Sequence, residues 1–156
     1  MTAPDPALPQ SPEPGQFVAW LRTVAPYIHA FRGKTFVVGV PGELFAQGRL
    51  NALAQDLGLL HAMGMRIVLV HGSRPQVNEQ LRLRGAESRY DKDMRITDAV
   101  ALECAKEAAG ELRLDIEAAF SQGLPNTPMA HSAIRILSGN LVTARPVGVR
   151  DGVDHL

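Results

Sequence analysis

The residue types best suited to chemistry lie in two short turns, Gly39–Val40–Pro41–Gly42 and His71–Gly72–Ser73–Arg74–Pro75. Each closes a β-branched run. In open α/β sheets ligands bind beyond the carboxyl ends of strands, where backbone amides and helix N-termini hold anions. Two such turns from adjacent strands could face one pocket. The plainer alternative is that the glycines only let the chain turn, and the residues alone leave both open. Other chemistries have less support. Five histidines (His29, His61, His71, His131 and His155) are scattered without metal-ligand spacing, and the lone Cys104 falls on a predicted helix away from all of them. No metal site is expected. The pattern GxSxG is absent, so acyl-enzyme chemistry is not expected either.

The elements that must position these turns follow from composition and periodicity. The chain has 156 residues, 46% of them hydrophobic, enough for one domain with a buried core. Lysine plus arginine and aspartate plus glutamate each total 16, so the formal charge is zero. Neither nucleic acid nor an anionic membrane is therefore expected as a partner. No apolar run approaches the roughly 20 residues of a bilayer span. One cysteine and no secretion signal make a cytoplasmic location the expectation.

Residues 1–15, with five prolines and little to bury, are predicted to be a disordered tail. Over residues 16–32, Phe17, Trp20, Leu21, Val24, Ile28 and Phe31 recur at helical spacing. Pro26 is expected to kink this amphipathic helix near Ala25, and Gly33 to end it. Its apolar stripe either covers the domain's own core or docks on another subunit. Thr35–Val40 and Arg66–Val70 read as buried strands. Between them Leu50, Leu53, Leu57 and Leu60 mark a helix ended by Gly64. The whole is a βαβ unit, whose two strands should be parallel.

A helix from about Pro75 to Leu83, a polar stretch around Tyr90–Asp93 and a long helix from about Asp98 to Phe120 follow. On the long helix Glu103, Glu107, Glu111 and Asp115 form an acidic ridge, relieved by Lys106 and Arg113. Ala101, Ala105, Ala108, Leu112, Ile116 and Ala119 form the opposite stripe. Gly110 costs about 1 kcal/mol against alanine inside a helix, and close helix packing is the expected compensation. Ala133–Leu137 and Leu141–Ala144 read as a hairpin across Ser138–Gly139–Asn140. The final GVRDGVDHL reads as turn residues with no closing element. The fold class is α/β, an open and mainly parallel sheet with helices on both faces. So thin a sheet reads as C-terminally truncated.

Four stretches carry a resemblance. FVAWLRTVAPYIHAFRGKTFVVGVPGELF, DLGLLHAMGMRIVLVHGSRPQVN, MRITDA with AAGELRLDIEA, and LSGNLVTARPVGVRDGVD occur in an order and spacing similar to bacterial N-acetylglutamate synthases, from about Phe17 to Asp154. The resemblance implies an amino-acid-kinase (acetylglutamate-kinase-like) fold over residues 33–156. It also implies an enzyme that moves acetyl from acetyl-CoA to L-glutamate in the first step of arginine biosynthesis. In that family a GNAT-type acetyltransferase domain, absent from these residues, does the chemistry, so no catalytic residue and no cofactor is expected here. L-arginine is the implied allosteric effector, and a homo-oligomer, a hexamer built through the N-terminal helix, the implied assembly.

The alternative enzyme is an N-acetylglutamate kinase. In the kinases the first strand ends in K-x-G-G, whose lysine contacts the transferred phosphoryl group, and phosphoryl transfer depends on such cations and on backbone amides. Gly39 stands at that lysine's position, Pro41 removes a donor before Gly42, and Lys34 lies roughly 16 Å of extended chain away. The kinases' H-G-G-G turn reads His71–Gly72–Ser73–Arg74, with bulky side chains in a loop that should wrap phosphates. No kinase activity is expected, and Gly39, Gly42, Gly72, Ser73, Arg74 and Arg95 are assigned to a vestigial pocket. Arg95, in MRIT, matches the kinases' carboxylate-binding arginine, which suits a guanidinium fork. An ion pair with a nearby acid is its alternative role. Tyr27 matches the tyrosine that arginine-sensitive relatives set against bound arginine. The expectation is a regulatory, non-catalytic portion of an acetyltransferase, set against the kinase and a stand-alone α/β small-molecule-binding module.

Overall fold

The computed structural model describes residues 13–121, 134–139 and 145–155. Residues 1–12 of the expected tail, His131 and the expected strand Leu141–Ala144 lie outside the described residues. Helix α1 spans Pro14–Phe31, so the boundary between tail and helix moves back from Gln16 to Pro14. Proline suits a helix start, because its missing N–H would have no intrahelical partner there. Pro26 lies inside α1, which runs on past it. No residue of α1 is buried, and Trp20 is 60% and Tyr27 63% exposed. Of the two destinations for the apolar stripe, the domain's own core is not the one found among the described residues. Gly33, at φ 76°, ends the helix in the left-handed region that favours glycine.

Strand β1 (Thr35–Val40), helix α2 (Gly42–Ala46), helix α3 (Leu50–Ala62) and strand β2 (Arg66–His71) form the βαβ unit. The strands pair in parallel from Thr35 opposite Arg66 to Val40 opposite His71. They are not buried throughout, as the continuous apolar runs had suggested. Val38, Ile67 and Leu69 pack toward the helices, whereas Val37, Val68 and Val70 on the other face are 70%, 41% and 54% exposed. Strand side chains alternate between faces, so an uninterrupted apolar run records a preference for cover on both sides without supplying it.

Helix α4 (Arg74–Leu83), the hairpin β3 (Tyr90–Asp91) and β4 (Met94–Arg95), helix α5 (Ala99–Ser121) and the hairpin β5 (Val149–Arg150) and β6 (Val153–Asp154) complete the described elements. Both hairpins correct the sequence expectation, which had a polar stretch and unstructured turn residues there. Asp151 and Gly152, at φ 52° and 81°, take the two positive-φ positions that a tight Asp-Gly hairpin turn requires. By contrast, residues 134–137 of the expected strand Ala133–Leu137 form no strand, although Ile134 and Ile136 pack on the core.

Two apolar clusters are joined by α5. Its C-terminal half sets Ile116 and Phe120 against Ala54 and Leu57 of α3 and the inner sheet face. Its N-terminal half sets Ala101, Cys104 and Ala108 against Val77 and Leu81 of α4. Small residues at that second contact let the two helices approach closely. Asp98 starts α5: its Oδ1 accepts from the Ala101 N–H at 2.9 Å, and its Oδ2 pairs with Arg89 at 2.8 Å. The Ala101 N–H first, and Arg89 second, hold its carboxyl below the usual aspartate value. On the acidic ridge Lys106 pairs with Glu103 at 2.7 Å, while Arg84, the residue that follows α4, forks onto Glu107. Gly110 corrects another expectation. A methyl group built there would meet nothing within 4 Å, so no close packing accounts for it among the described residues.

Candidate functional site

The parallel pairing of β1 and β2 brings the two glycine turns side by side. The Gly72 N–H donates to the Val40 carbonyl at 2.9 Å, extending the strand ladder into the turns. From the first turn of α4, Gln76 Nε2 donates to the Gly42 carbonyl at 2.9 Å. The contact leaves no room for side chains. A methyl at Gly42 would lie 2.8 Å from Pro75 Cδ and 3.0 Å from both Gln76 Oε1 and the Gly72 carbonyl. Glycine at Gly42 is therefore a requirement of backbone approach. Gly39 is different: it lies on the outward face of β1, and a methyl there meets nothing within 4 Å.

Arg74 does not stay with the turn. Its Nη2 donates to the Asp93 carbonyl at 2.7 Å at the tip of the β3–β4 hairpin, and its guanidinium carbon lies 5.3 Å from the Tyr90 ring centre. Arg95, paired across the hairpin with Tyr90, lies 4.8 Å from the same ring. Its Nη1 donates to Ser88 Oγ at 2.9 Å and its Nη2 to Asn78 Oδ1 at 2.7 Å. The Tyr90 hydroxyl also donates to Asn78 Oδ1, at 2.9 Å. The expected ion pair of Arg95 with a nearby acid is not found among the described residues. Neutral oxygens and an aromatic face hold it instead.

These groups border a cavity of about 280 Å³ lined by Ser73, Arg74, Val77, Tyr90, Arg95, Thr97 and Ala105. Of the six residues assigned to the pocket from sequence, three (Ser73, Arg74 and Arg95) line it. Gly42 and Gly72 form its neighbouring turns, and Gly39 and Tyr27 do not line it. Tyr90, Asn78 and Ser88 were missed. The two-residue step Lys92–Asp93 between Tyr90–Asp91 and Met94–Arg95 was the available signal, because a hairpin there sets Tyr90 opposite Arg95. A second cavity, of about 580 Å³, opens between the two hairpins and is lined by Asp91, Lys92, Asp93, Met94, Arg150, Asp151 and His155. There Lys92 pairs with Asp151 at 2.7 Å, and His155, 3% exposed, sits with Nε2 3.8 Å from Asp91 Oδ2. Among the described residues no group of three histidine, cysteine, aspartate or glutamate side chains is placed to hold a metal, and no helix is long and apolar enough to cross a membrane.

A parallel βαβ unit whose two strand-end turns meet beside a guanidinium-lined cavity defines the class, and the chain belongs to the amino acid kinase family, whose profile matches residues 34–154. Within that class its relatives point one way. It is 66% identical over 147 residues to the amino-acid acetyltransferase of Ralstonia nicotianae, a match covering 94% of this chain and 33% of that protein. It is 51% identical over 139 residues to the amino-acid acetyltransferase of Ectopseudomonas mendocina, covering 89% and 32%. Among solved structures it resembles N-acetylglutamate synthase from Neisseria gonorrhoeae complexed with coenzyme A and L-arginine. That match has a TM-score of 0.75 and 40% identity, covering 90% of this chain and 33% of the other. The same enzyme complexed with coenzyme A and N-acetyl-glutamate matches at 0.75 and 41%, covering 89% and 31%. The chain thus spans about a third of the length of the relatives it matches.

Proposed function

We propose that this chain is the regulatory, amino-acid-kinase-like portion of an N-acetylglutamate synthase, which transfers acetyl from acetyl-CoA to L-glutamate in the first step of arginine biosynthesis in the cytoplasm. The observation that carries the proposal is the 66% identity, over nearly the whole chain, to an amino-acid acetyltransferase. In this role the chain itself supplies no catalytic residue. The pocket at the strand ends is a remnant that transfers no phosphoryl group: the kinases' lysine position is Gly39, and Pro41 has no N–H to offer an oxyanion.

Arginine is the proposed effector, supported by its presence in the complex of the gonococcal relative. Tyr27 is the proposed contact from this chain, since its ring stands exposed on α1 and free to pack on a ligand. The uncovered stripe of Phe17, Trp20, Leu21 and Phe31 is the proposed oligomer contact, a hexamer in the full enzyme. The test is an assay of the enzyme containing this chain. Acetyl transfer to glutamate should be measurable and inhibited by arginine, and Tyr27→Ala should raise the arginine needed for half-inhibition while sparing uninhibited transfer. ATP-dependent phosphorylation of N-acetylglutamate would sink the non-kinase assignment, and an unchanged inhibition curve would remove Tyr27 from the site.

A further inference from the structure

We propose that the β5–β6 hairpin is a detachable strap across the β3–β4 hairpin, anchored by the buried ring of His155, and that its release loosens the hold on Tyr90 and Arg95. Neither hairpin contributes a residue to the two apolar clusters among the described residues. They are joined at two ends. At the tips Lys92 Nζ pairs with Asp151 Oδ2 at 2.7 Å, the two side chains 73% and 75% exposed. At the base the ring of His155, a residue 3% exposed, lies beside Asp91. The His155 N–H donates to the Gly148 carbonyl at 3.0 Å, and its carbonyl accepts from the Thr97 N–H, two residues past β4, at 3.2 Å. Between tips and base the cavity of about 580 Å³ stays open.

This join is weak by construction. An ion pair so exposed contributes little, because water screens it and both side chains lose freedom in making it. The 3.8 Å from His155 Nε2 to Asp91 Oδ2 is too long for a hydrogen bond, and Nδ1 of the same ring is buried without a partner. The unpaired nitrogen opposes docking and the buried ring carbons favour it, so the anchor is the volume of the ring. Folded interiors are close-packed, whereas this interface encloses an open cavity. A unit held in this way is expected to open without the clusters around α5 unfolding. Adjacent strand residues face opposite ways, so Asp91 turns to the strap while Tyr90 turns to the pocket. On the pocket side Tyr90 and Arg95 bond Asn78, and Arg74 bonds the Asp93 carbonyl. With the strap released, the β3–β4 hairpin is left to that second set of contacts.

Hydrogen exchange of the full chain, resolved to single amides and corrected for intrinsic rates, tests the proposal. The Thr97 N–H reports docking, because its acceptor is on the strap. The Ile96 N–H, which donates to the Arg89 carbonyl at 2.9 Å, reports the β3–β4 pairing, and the β1–β2 ladder reports global unfolding. In the unmodified chain Thr97 is expected to exchange about tenfold or more faster than the ladder. His155→Ala should speed Thr97 by a further factor of about ten and Ile96 by less, leaving the ladder unchanged. His155→Leu keeps the volume without the nitrogens and should restore slow exchange at Thr97. Lys92→Ala should speed it by about twofold or less. Equal exchange of Thr97 and the ladder in the unmodified chain would mean that the strap does not detach. Equal Thr97 exchange in His155→Ala and the unmodified chain would remove the anchor, and equal acceleration of every amide would make His155 part of the global fold. His155→Leu behaving like His155→Ala would assign docking to the nitrogens. Each of these results overturns the proposal. Acetyl transfer and arginine inhibition are separate readouts, so failure here leaves the proposed function standing.

Discussion

Helices α1 and α5 carry similar apolar stripes and meet opposite fates. On α5, Ala101, Cys104, Ala108, Leu112, Ile116 and Phe120 are buried against α3, α4 and the sheet. On α1, Phe17, Trp20, Leu21 and Phe31 stay exposed. Period 3.6 specifies that one side of a helix avoids water; it does not specify what covers that side. The N-terminal half of the α5 stripe is built of small residues that fit against α4 and its C-terminal half of larger aliphatic and aromatic ones that fill the space beside α3, whereas the α1 stripe is aromatic and bulky, of the kind enriched at protein interfaces.

The contrast predicts a graded series of effects. Phe120→Ala, which opens a void between α5 and α3, should destabilise the chain by about 3–5 kcal/mol in chemical denaturation. Ala108→Leu should cost about 1–3 kcal/mol, because the fully buried site has no space for three more carbons. Gly110→Ala should stabilise by about 0.5–1 kcal/mol, since a methyl there is free of contact. A destabilising result would show that something approaches Gly110.

A further prediction concerns pH. Because the folded state holds the Asp98 carboxyl below its usual value, its contribution is present above about pH 4, the unfolded aspartate value, and is lost as pH falls through the lower folded value. Asp98→Asn retains a cap acceptor and should flatten that part of the stability–pH curve. An unchanged acid limb would remove Asp98 from the account. Smallest of all, Trp20→Ala should alter this chain's stability by no more than about 0.5 kcal/mol, yet should reduce self-association in sedimentation if α1 is the oligomer contact. A large stability loss would mean that α1 packs on its own domain after all.

The βαβ unit and the bounds of α3, α4 and α5 were legible in the sequence because each is written in local periodicity and stopped by a glycine or a cap. The one-sided cover of β1 and β2 was not, since burial belongs to the partners of a strand and not to its own residues. At the site, the meeting of the Gly42 and Gly72 turns followed from parallel pairing. The excursion of Arg74 to Tyr90 and Asp93 did not, because a flexible side chain reaching a hairpin 19 residues on leaves no local pattern. The β5–β6 hairpin has its signal in Asp151–Gly152, but with so few apolar residues beside it that signal reads as a plain turn.

One rod, α5, belongs to both apolar clusters, with the contact-free Gly110 between Ala108 in one and Leu112 and Ile116 toward the other. Its amides should therefore exchange with solvent deuterium in two blocks, each protected by its own cluster, with the fastest exchange of the helix interior around Gly110.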